Sequence, residues 1–251
     1  AKEQYGEHMA RYWLDLVRFA DTNGMHKDFY RNFIAYRDWV IRACNENLGY
    51  DEFLRYQLAG DLFPEPTTDQ LVASGFNRLH LIIDRGTALP EESFFKNVVD
   101  RVTAVGTTFM GMTVQCAQCH DHKYDPITQK DFYSLFAFFN NIDAAPETAG
   151  RPRNGLQPPF VMAATPEQTE NLNRLDQQLA ERDGAIAALK KQVAQEKEPG
   201  RKKVLSQELK ALTNRRNALK GERDALDRGI LRAMVMKERK DVRPTHVRVR
   251  G

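Results

Sequence analysis

Long apolar runs, cysteines and an excess of charge of one sign are all scarce in this sequence. No hydrophobic stretch approaches the roughly 20 residues that a membrane-spanning helix needs, so we expect no membrane span in this chain. The three cysteines are Cys44, Cys116 and Cys119, and an odd number with two of them close together argues against a disulfide framework. Lysine and arginine total 37 against 34 acidic residues. This balance lacks the basic stripe of a nucleic-acid-binding protein, so we expect no nucleic-acid partner.

Apolar residues recur at helical spacing through residues 1–143, which are also rich in aromatics. The pattern predicts a mostly α fold, with a compact multi-helix domain in this region. The first helix carries apolar positions from Met9 to Ala20, and the fifth runs from residue 90 to about residue 113. Thr67 and Gln70 form a capping box, which predicts the start of a short helix.

The second half of the chain has a different composition. Residues 144–164 contain four prolines and two glycines, which is typical of a linker. Over residues 165–232 the apolar positions follow steps of three, four and seven, with a break at Glu198-Pro199-Gly200. This pattern predicts an antiparallel helical hairpin with coiled-coil-type packing. Residues 233–251 are interpreted as the truncated start of a further domain, so we expect a fragment of a longer exported protein.

The motif most specific for chemistry is Cys116-Ala117-Gln118-Cys119-His120. A Cys-x-x-Cys-His sequence is a signal for covalent attachment of c-type haem. Its two thiols can each add to one vinyl group of the haem, and the histidine that follows can bind the iron as the proximal ligand. The motif therefore predicts one haem c, with Cys116 and Cys119 as thioether anchors and His120 on the iron.

Two other kinds of site use the same residues. A thioredoxin-like redox motif would need a preceding strand and a βαβ surround, whereas a long predicted helix precedes this one. A zinc site could use Cys116, Cys119 and His122. It would need a fourth ligand from elsewhere in the chain, because the sequence has no second Cys-x-x-Cys pair.

Residues 116–127, which read CAQCHDHKYDPI, resemble the cytochrome-c-like conserved domain of large secreted planctomycete proteins of unknown function. The resemblance is dense over residues 1–143 and returns near residues 243–246. Further matching phrases lie at residues 5–7, 13–16, 18–21, 36–40, 57–61, 100–102 and 136–140.

This resemblance implies an exported, multi-domain, haem-bearing protein with a redox role, located in the periplasm or outside the cell. The implied partners are the remainder of the same polypeptide or a companion subunit, and a redox partner protein. The sequence departs from the family in one loop, where the acidic residue is shifted and one of two glycines is lost (residues 84–90).

Three further groups of residues are candidates for function. His80 is the leading candidate for the distal side of the haem, because the family often shows a histidine in the phrase Asn77-Arg78-Leu79-His80. His122 could hydrogen-bond a haem propionate, shuttle protons or bind another metal. With Tyr124 and Asp125 it also defines an alternative function, a metal-dependent hydrolase-like enzyme.

A second alternative is a binding protein in which the cofactor only stabilises the fold and the hairpin recruits a partner.

Asp15, Arg18 and Asp21 share one face of the first helix, and with Asp100 and Arg101 they could line a cleft. We interpret them instead as an ion-pair network that ties helices together.

Overall fold

The computed structural model describes residues 3–24, 28–82, 89–143 and 155–248, and the fold over these ranges is mostly helical, as predicted. Within them every helix is too short or too polar to cross a lipid bilayer. Two segments from the sequence analysis lie outside the described residues. They are residues 84–88, in the loop where the sequence departs from the family it resembles, and residues 144–154 of the predicted linker. The described helices are α1 (Glu3–Leu16), α2 (Ile34–Asn45), α3 (Tyr50–Ala59), α4 (Thr68–Ala73), α5 (Pro90–Val105), α6 (Gln129–Asn140), α7 (Pro166–Gln195) and α8 (Pro199–Gly229).

Two short strands, β1 (Phe160–Met162) and β2 (Arg232–Met234), pair antiparallel with Val161 opposite Ala233. The chain divides into two compact units: the first unit holds Ala1–Ala163 and Arg232–Gly251, and the hairpin unit holds Ala164–Leu231. The segment that the sequence analysis assigns to a further domain therefore packs with the first unit. Met234 and Val235 are buried in its core.

The hairpin unit has the antiparallel arrangement that its sequence predicts. The Arg216 guanidinium lies 2.9 Å from the Asp183 carboxylate, and that of Arg223 lies 3.0 Å from Asp176. Between these two ion pairs α8 advances by seven residues towards its C-terminus while α7 steps seven residues towards its N-terminus. The two helices are therefore antiparallel, and the step of seven is the heptad spacing of coiled-coil packing. The capping box of Thr165 and Gln168 opens α7, as expected.

Helix α1 ends four residues earlier than its apolar pattern predicts. The amide of Phe19 donates to the Leu14 carbonyl and that of Arg18 to the Asp15 carbonyl, and Arg18 has φ of 60°. These two bonds form a Schellman motif, with arginine in the left-handed position that glycine usually takes. The Arg18 guanidinium lies 2.6 Å from the Asp100 carboxylate on α5, so Arg18, one of the three residues of the predicted ion-pair network, connects the end of α1 to α5.

The core of the first unit contains a hydrogen-bonded polar cluster among aromatic rings. The hydroxyl of Tyr36 donates to Gln57 Oε1 over 2.6 Å, and the indole N–H of Trp13 donates to the same oxygen over 3.1 Å. Trp39 stacks on Phe53 beside them, with ring centroids 5.2 Å apart. Burial raises the pKa of Tyr36, so its hydroxyl stays a donor in this cluster.

A buried arginine connects segments that are far apart in sequence. Arg78 ends a 3-10 turn (Ser74–Arg78) and is 0% exposed. Its guanidinium donates to the carbonyls of Pro159 and Val235 over 3.2 and 3.1 Å, and more loosely to those of Gln157 and Pro158. Arg31 in turn donates to the Arg78 carbonyl over 2.7 Å. These hydrogen bonds from Arg78 therefore connect the segments around β1 and β2 to the helical core.

We expect Arg78→Ala to lower the free energy of unfolding of the first unit by about 3 kcal/mol or more, because it takes a charged donor from the buried Val235 carbonyl and from three partly buried carbonyls and leaves a cavity in the core. Urea denaturation followed by tryptophan fluorescence reports this unit, since Trp13 and Trp39 both lie in it. The matched control is Arg11→Ala on the exposed face of α1, with an expected change within about 0.5 kcal/mol. Equal unfolding midpoints for Arg78→Ala and the wild type would contradict the assignment.

Candidate functional site

The haem-type motif follows an irregular end of α5. After Val105 the chain forms a π-helical turn (Gly106–Met110), and Gly111 adopts φ of 64°. A Cβ at Gly106 would lie 2.5 Å from a methyl carbon of Val114, so the absence of a side chain there lets the next segment approach closely. The predicted fifth helix is thus shorter than expected, and the chain turns back before the first cysteine. π-helical turns are frequent at functional sites.

Cys116 lies exposed on a 3-10 turn (Val114–Gln118), and Cys119, also exposed, follows directly after it. In a 3-10 helix residues three apart lie on the same side, and Cys119 is three positions after Cys116 and directly follows the turn. Val114 and Ala117 share another side, and both are buried, Ala117 completely. Neither thiol forms a disulfide. The turn therefore presents a pair of accessible thiols on a packed base.

Helix α6 holds this turn in place. The side-chain amide of Gln129 and the hydroxyl of Tyr133 both donate to the Gln118 carbonyl, over 3.1 and 3.3 Å. The backbone amide of Gln129 donates to the Asp121 carboxylate over 2.8 Å. Sequence reasoning did not single out Gln129 or Tyr133. The sequence signal that could have identified them is the capping box of Thr128 and Asp131, because it fixes where α6 begins beside the motif.

The ring of His120 is exposed and has a defined orientation. Its Nδ1 lies 2.7 Å from the Asp121 carbonyl, and since a carbonyl can only accept, Nδ1 carries the proton. In the neutral ring this leaves the lone pair on Nε2, the tautomer in which a histidine binds a metal ion through that nitrogen. With two accessible thiols just before it, this donor set fits a covalently attached haem.

His122 has a different environment from His120, because its side chain is only 5% exposed. Its Nδ1 accepts from the amides of Asp125 and Tyr124 over 2.9 and 3.3 Å, and its Nε2 lies 3.2 Å from the Thr113 hydroxyl. Both ring nitrogens are thus engaged with the protein. In this arrangement His122 shapes the loop that follows it, and neither nitrogen is left to bind a metal ion or a substrate.

The other two residues of the hydrolase-like alternative lie on this loop. The Asp125 carboxylate is 3.4 Å from His122 Nδ1, but that nitrogen accepts the amide protons and so is not the donor of an ion pair. Tyr124 is 83% exposed, and the Lys123 ammonium lies 5.2 Å from its ring centre. The structure brings His122 and Asp125 together around a turn, and Tyr124 lies outside on the surface.

His80, the candidate for the distal side, is 1% exposed. Its Nδ1 lies 3.1 Å from the Arg78 carbonyl, and its own carbonyl accepts from Arg31 over 2.8 Å. These bonds place His80 among the buried arginines that hold the core, whereas His120 is on the surface. His80 therefore takes part in the packing around Arg78.

The sequence left open a zinc site that would use Cys116, Cys119 and His122. A structural zinc site uses four ligands in a tetrahedron. Over the residues that the structure describes, no three histidine, cysteine or acidic side chains lie close enough together to hold a metal ion.

Comparison with known proteins gives one match. The model of a protein family described as PSCyt2, protein of unknown function (DUF1549), matches residues 1–144. That range contains both thiols, His120 and the loop after it. No curated protein and no solved structure matches the chain.

We expect His122→Ala to loosen the loop after His122, because it removes the acceptor for the amides of Tyr124 and Asp125. Hydrogen exchange at these two amides, measured by NMR, should accelerate roughly fivefold, since a hydrogen bond contributes about 1 kcal/mol. His122→Asn is the control, because its side-chain oxygen can take the place of Nδ1 as acceptor and should preserve the protection. Unchanged exchange in His122→Ala would show that the ring does not organise the loop.

Proposed function

Since the chain belongs to the PSCyt2 family, whose function is unknown, we propose that it is an exported c-type haem protein with a redox role. In this proposal one haem is attached through Cys116 and Cys119, and His120 is its proximal ligand. The observation that carries the proposal is the exposed pair of thiols beside a histidine whose Nδ1 is fixed by the Asp121 carbonyl.

Each part of this arrangement has a chemical use. The packed base of Val114 and Ala117 holds the turn in place and leaves both thiols exposed, where they can react with a haem. The Asp121 carbonyl keeps the proton on Nδ1, orients the ring and makes Nε2 a stronger donor to iron. A bound haem supplies a centre that accepts and releases one electron, at a potential set by its axial ligands and surroundings.

The redox role takes one of two forms, electron transfer or haem-centred oxidation or reduction. The difference depends on the second axial position of the iron, which is filled by a protein ligand in many electron carriers and open where substrates bind. The proposed location is the periplasm or the outside of the cell. The proposed partners are the rest of a larger polypeptide, or a companion subunit, and a protein that exchanges electrons with the haem.

We expect the chain, exported into a compartment that matures c-type cytochromes, to show a Soret band and an alkaline pyridine spectrum of haem c. In haem-free protein Cys116 and Cys119 should react quickly with a thiol reagent and Cys44 slowly. Cys44 is half-buried, and burial raises the pKa of its thiol. Attachment should remove the two fast thiols and leave the slow one.

The matched variants separate attachment from folding. Cys116→Ser combined with Cys119→Ser should abolish the covalent haem, whereas Cys44→Ser should retain it. A folded wild type that emerges from the same compartment without any Soret band would overturn the proposed function.

We further expect the ferrous protein to bind carbon monoxide promptly, because the side chain of His80 is buried beside Arg78 and the motif lies on the surface. The measurement is the shift of the Soret band on adding the gas. A low-spin iron that ignores carbon monoxide in the wild type but binds it in His80→Ala would instead identify His80 as the distal ligand.

A further inference from the structure

A groove in the first unit lies between α5, α6 and the extended segment 243–248. Its volume is about 580 Å³, within the range of small-molecule sites. Phe94, Phe95 and Phe136 form its apolar floor, and Arg243, His246 and Arg248 lie along its rim. We call these six residues the aromatic groove.

Both rim arginines stack on floor rings. The guanidinium carbon of Arg243 is 3.9 Å from the centre of the Phe94 ring, and that of Arg248 is 4.5 Å from the centre of Phe95. Over the described part of the chain, neither guanidinium has a carboxylate within ion-pair distance. Glu91 also lines the groove but is not paired with either of them. The rim thus holds positive charge that has no acidic partner.

The rim is fixed by hydrogen bonds from α6 and the residue after it. The Asn140 amide donates to the Thr245 hydroxyl over 2.8 Å, and the Arg243 backbone amide donates to Asn141 Oδ1 over 3.1 Å. At the far end the Gln129 amide donates to the Arg248 carbonyl over 3.2 Å. The groove is therefore formed before any ligand binds, which lowers the entropy that binding would lose.

Burial lowers the pKa of the Arg243 guanidinium, and the nearby charge of Arg239 lowers it further. A partly buried cation without an acidic partner loses hydration that an anion could replace. Guanidinium groups pair with carboxylates through two parallel hydrogen bonds. Phenylalanine rings stack favourably on other flat aromatic systems. The combination selects for a ligand that is both flat and negatively charged.

We propose that the aromatic groove binds a planar aromatic anion, with its rings against Phe94, Phe95 and Phe136 and its acidic group on Arg243 and Arg248. Two sources share this chemistry. One is a free aromatic acid, and the other is a haem attached at Cys116 and Cys119, whose edge carries two carboxylates. The Gln129 amide donates to both the Gln118 and Arg248 carbonyls, so the rim reaches the residue next to Cys119. The haem source rests on the proposed function, whereas the site itself does not.

The test uses the full chain with Cys116→Ser and Cys119→Ser, which keeps it free of haem. The probes are 8-anilinonaphthalene-1-sulfonate, an aromatic anion, and N-phenyl-1-naphthylamine, its uncharged analogue, and both are followed by fluorescence titration. Arg243→Gln should weaken binding of the anion about tenfold, because a hydrogen bond to a charged group contributes about 1.5 kcal/mol. The uncharged probe should bind within twofold of its original affinity.

Lys240→Gln is the matched control, since it removes one positive charge from an exposed residue outside the groove. It should leave both probes unaffected. Equal affinity of the anion for Arg243→Gln and its parent would overturn the proposal, and so would an equal loss for both probes.

The two sources are separated by repeating the titration on haem-loaded wild type. Loss of anion binding after haem attachment would show that the haem carboxylates occupy the groove. Unchanged binding would show that the ligand of the groove is a free aromatic acid. Failure of haem attachment would overturn the proposed function but would leave the titration on the Cys116→Ser, Cys119→Ser variant intact.

Discussion

The first unit depends on the burial of one guanidinium. Arg78 stays charged under all ordinary conditions, and removing it from water is unfavourable unless its N–H groups find acceptors. The acceptors are backbone carbonyls of residues 157–159 and 235. Arg31 and Arg101 donate to carbonyls of the same stretch that contains Arg78, at Arg78 and Asn77. Because these guanidinium and carbonyl groups satisfy each other's hydrogen bonds, the helices, β1 and β2 have to assemble together.

Features set by neighbouring residues could be predicted from the sequence, and those set by distant ones could not. The capping boxes at Thr67 and Thr165 and the heptads of the hairpin depend on residues within a turn or two, and the structure contains all of them. The end of α1 was missed because an arginine, rather than a glycine, takes the left-handed position. The partners of Arg78 lie up to 157 residues away, and nothing local indicates them.

The same distinction applies to the candidate site. The spacing of Cys116 and Cys119 predicts a haem-attachment motif, and in the structure both thiols are exposed, on and directly after a 3-10 turn. The sequence marked His122 as a chemical candidate because it lies beside the motif. Its engagement with two amides and with Thr113 depends on how the backbone folds back, which the residue pattern does not encode. The aromatic groove was missed for a related reason, since Phe95 and Arg248 meet only after the chain has returned past the hairpin.

The pairing of β1 with β2 has a consequence for the order in which the protein folds during synthesis. These strands lie on either side of the hairpin unit in sequence, and Met234 and Val235 complete the core of the first unit. A nascent chain that has emerged only as far as residue 163 therefore still lacks the Val235 carbonyl, which accepts from the buried Arg78 guanidinium. The hairpin can form at once from its own contacts and bring its two ends close together, which shortens the loop that remains to be closed. The core of the first unit is therefore completed only after the hairpin unit and β2 have been synthesised.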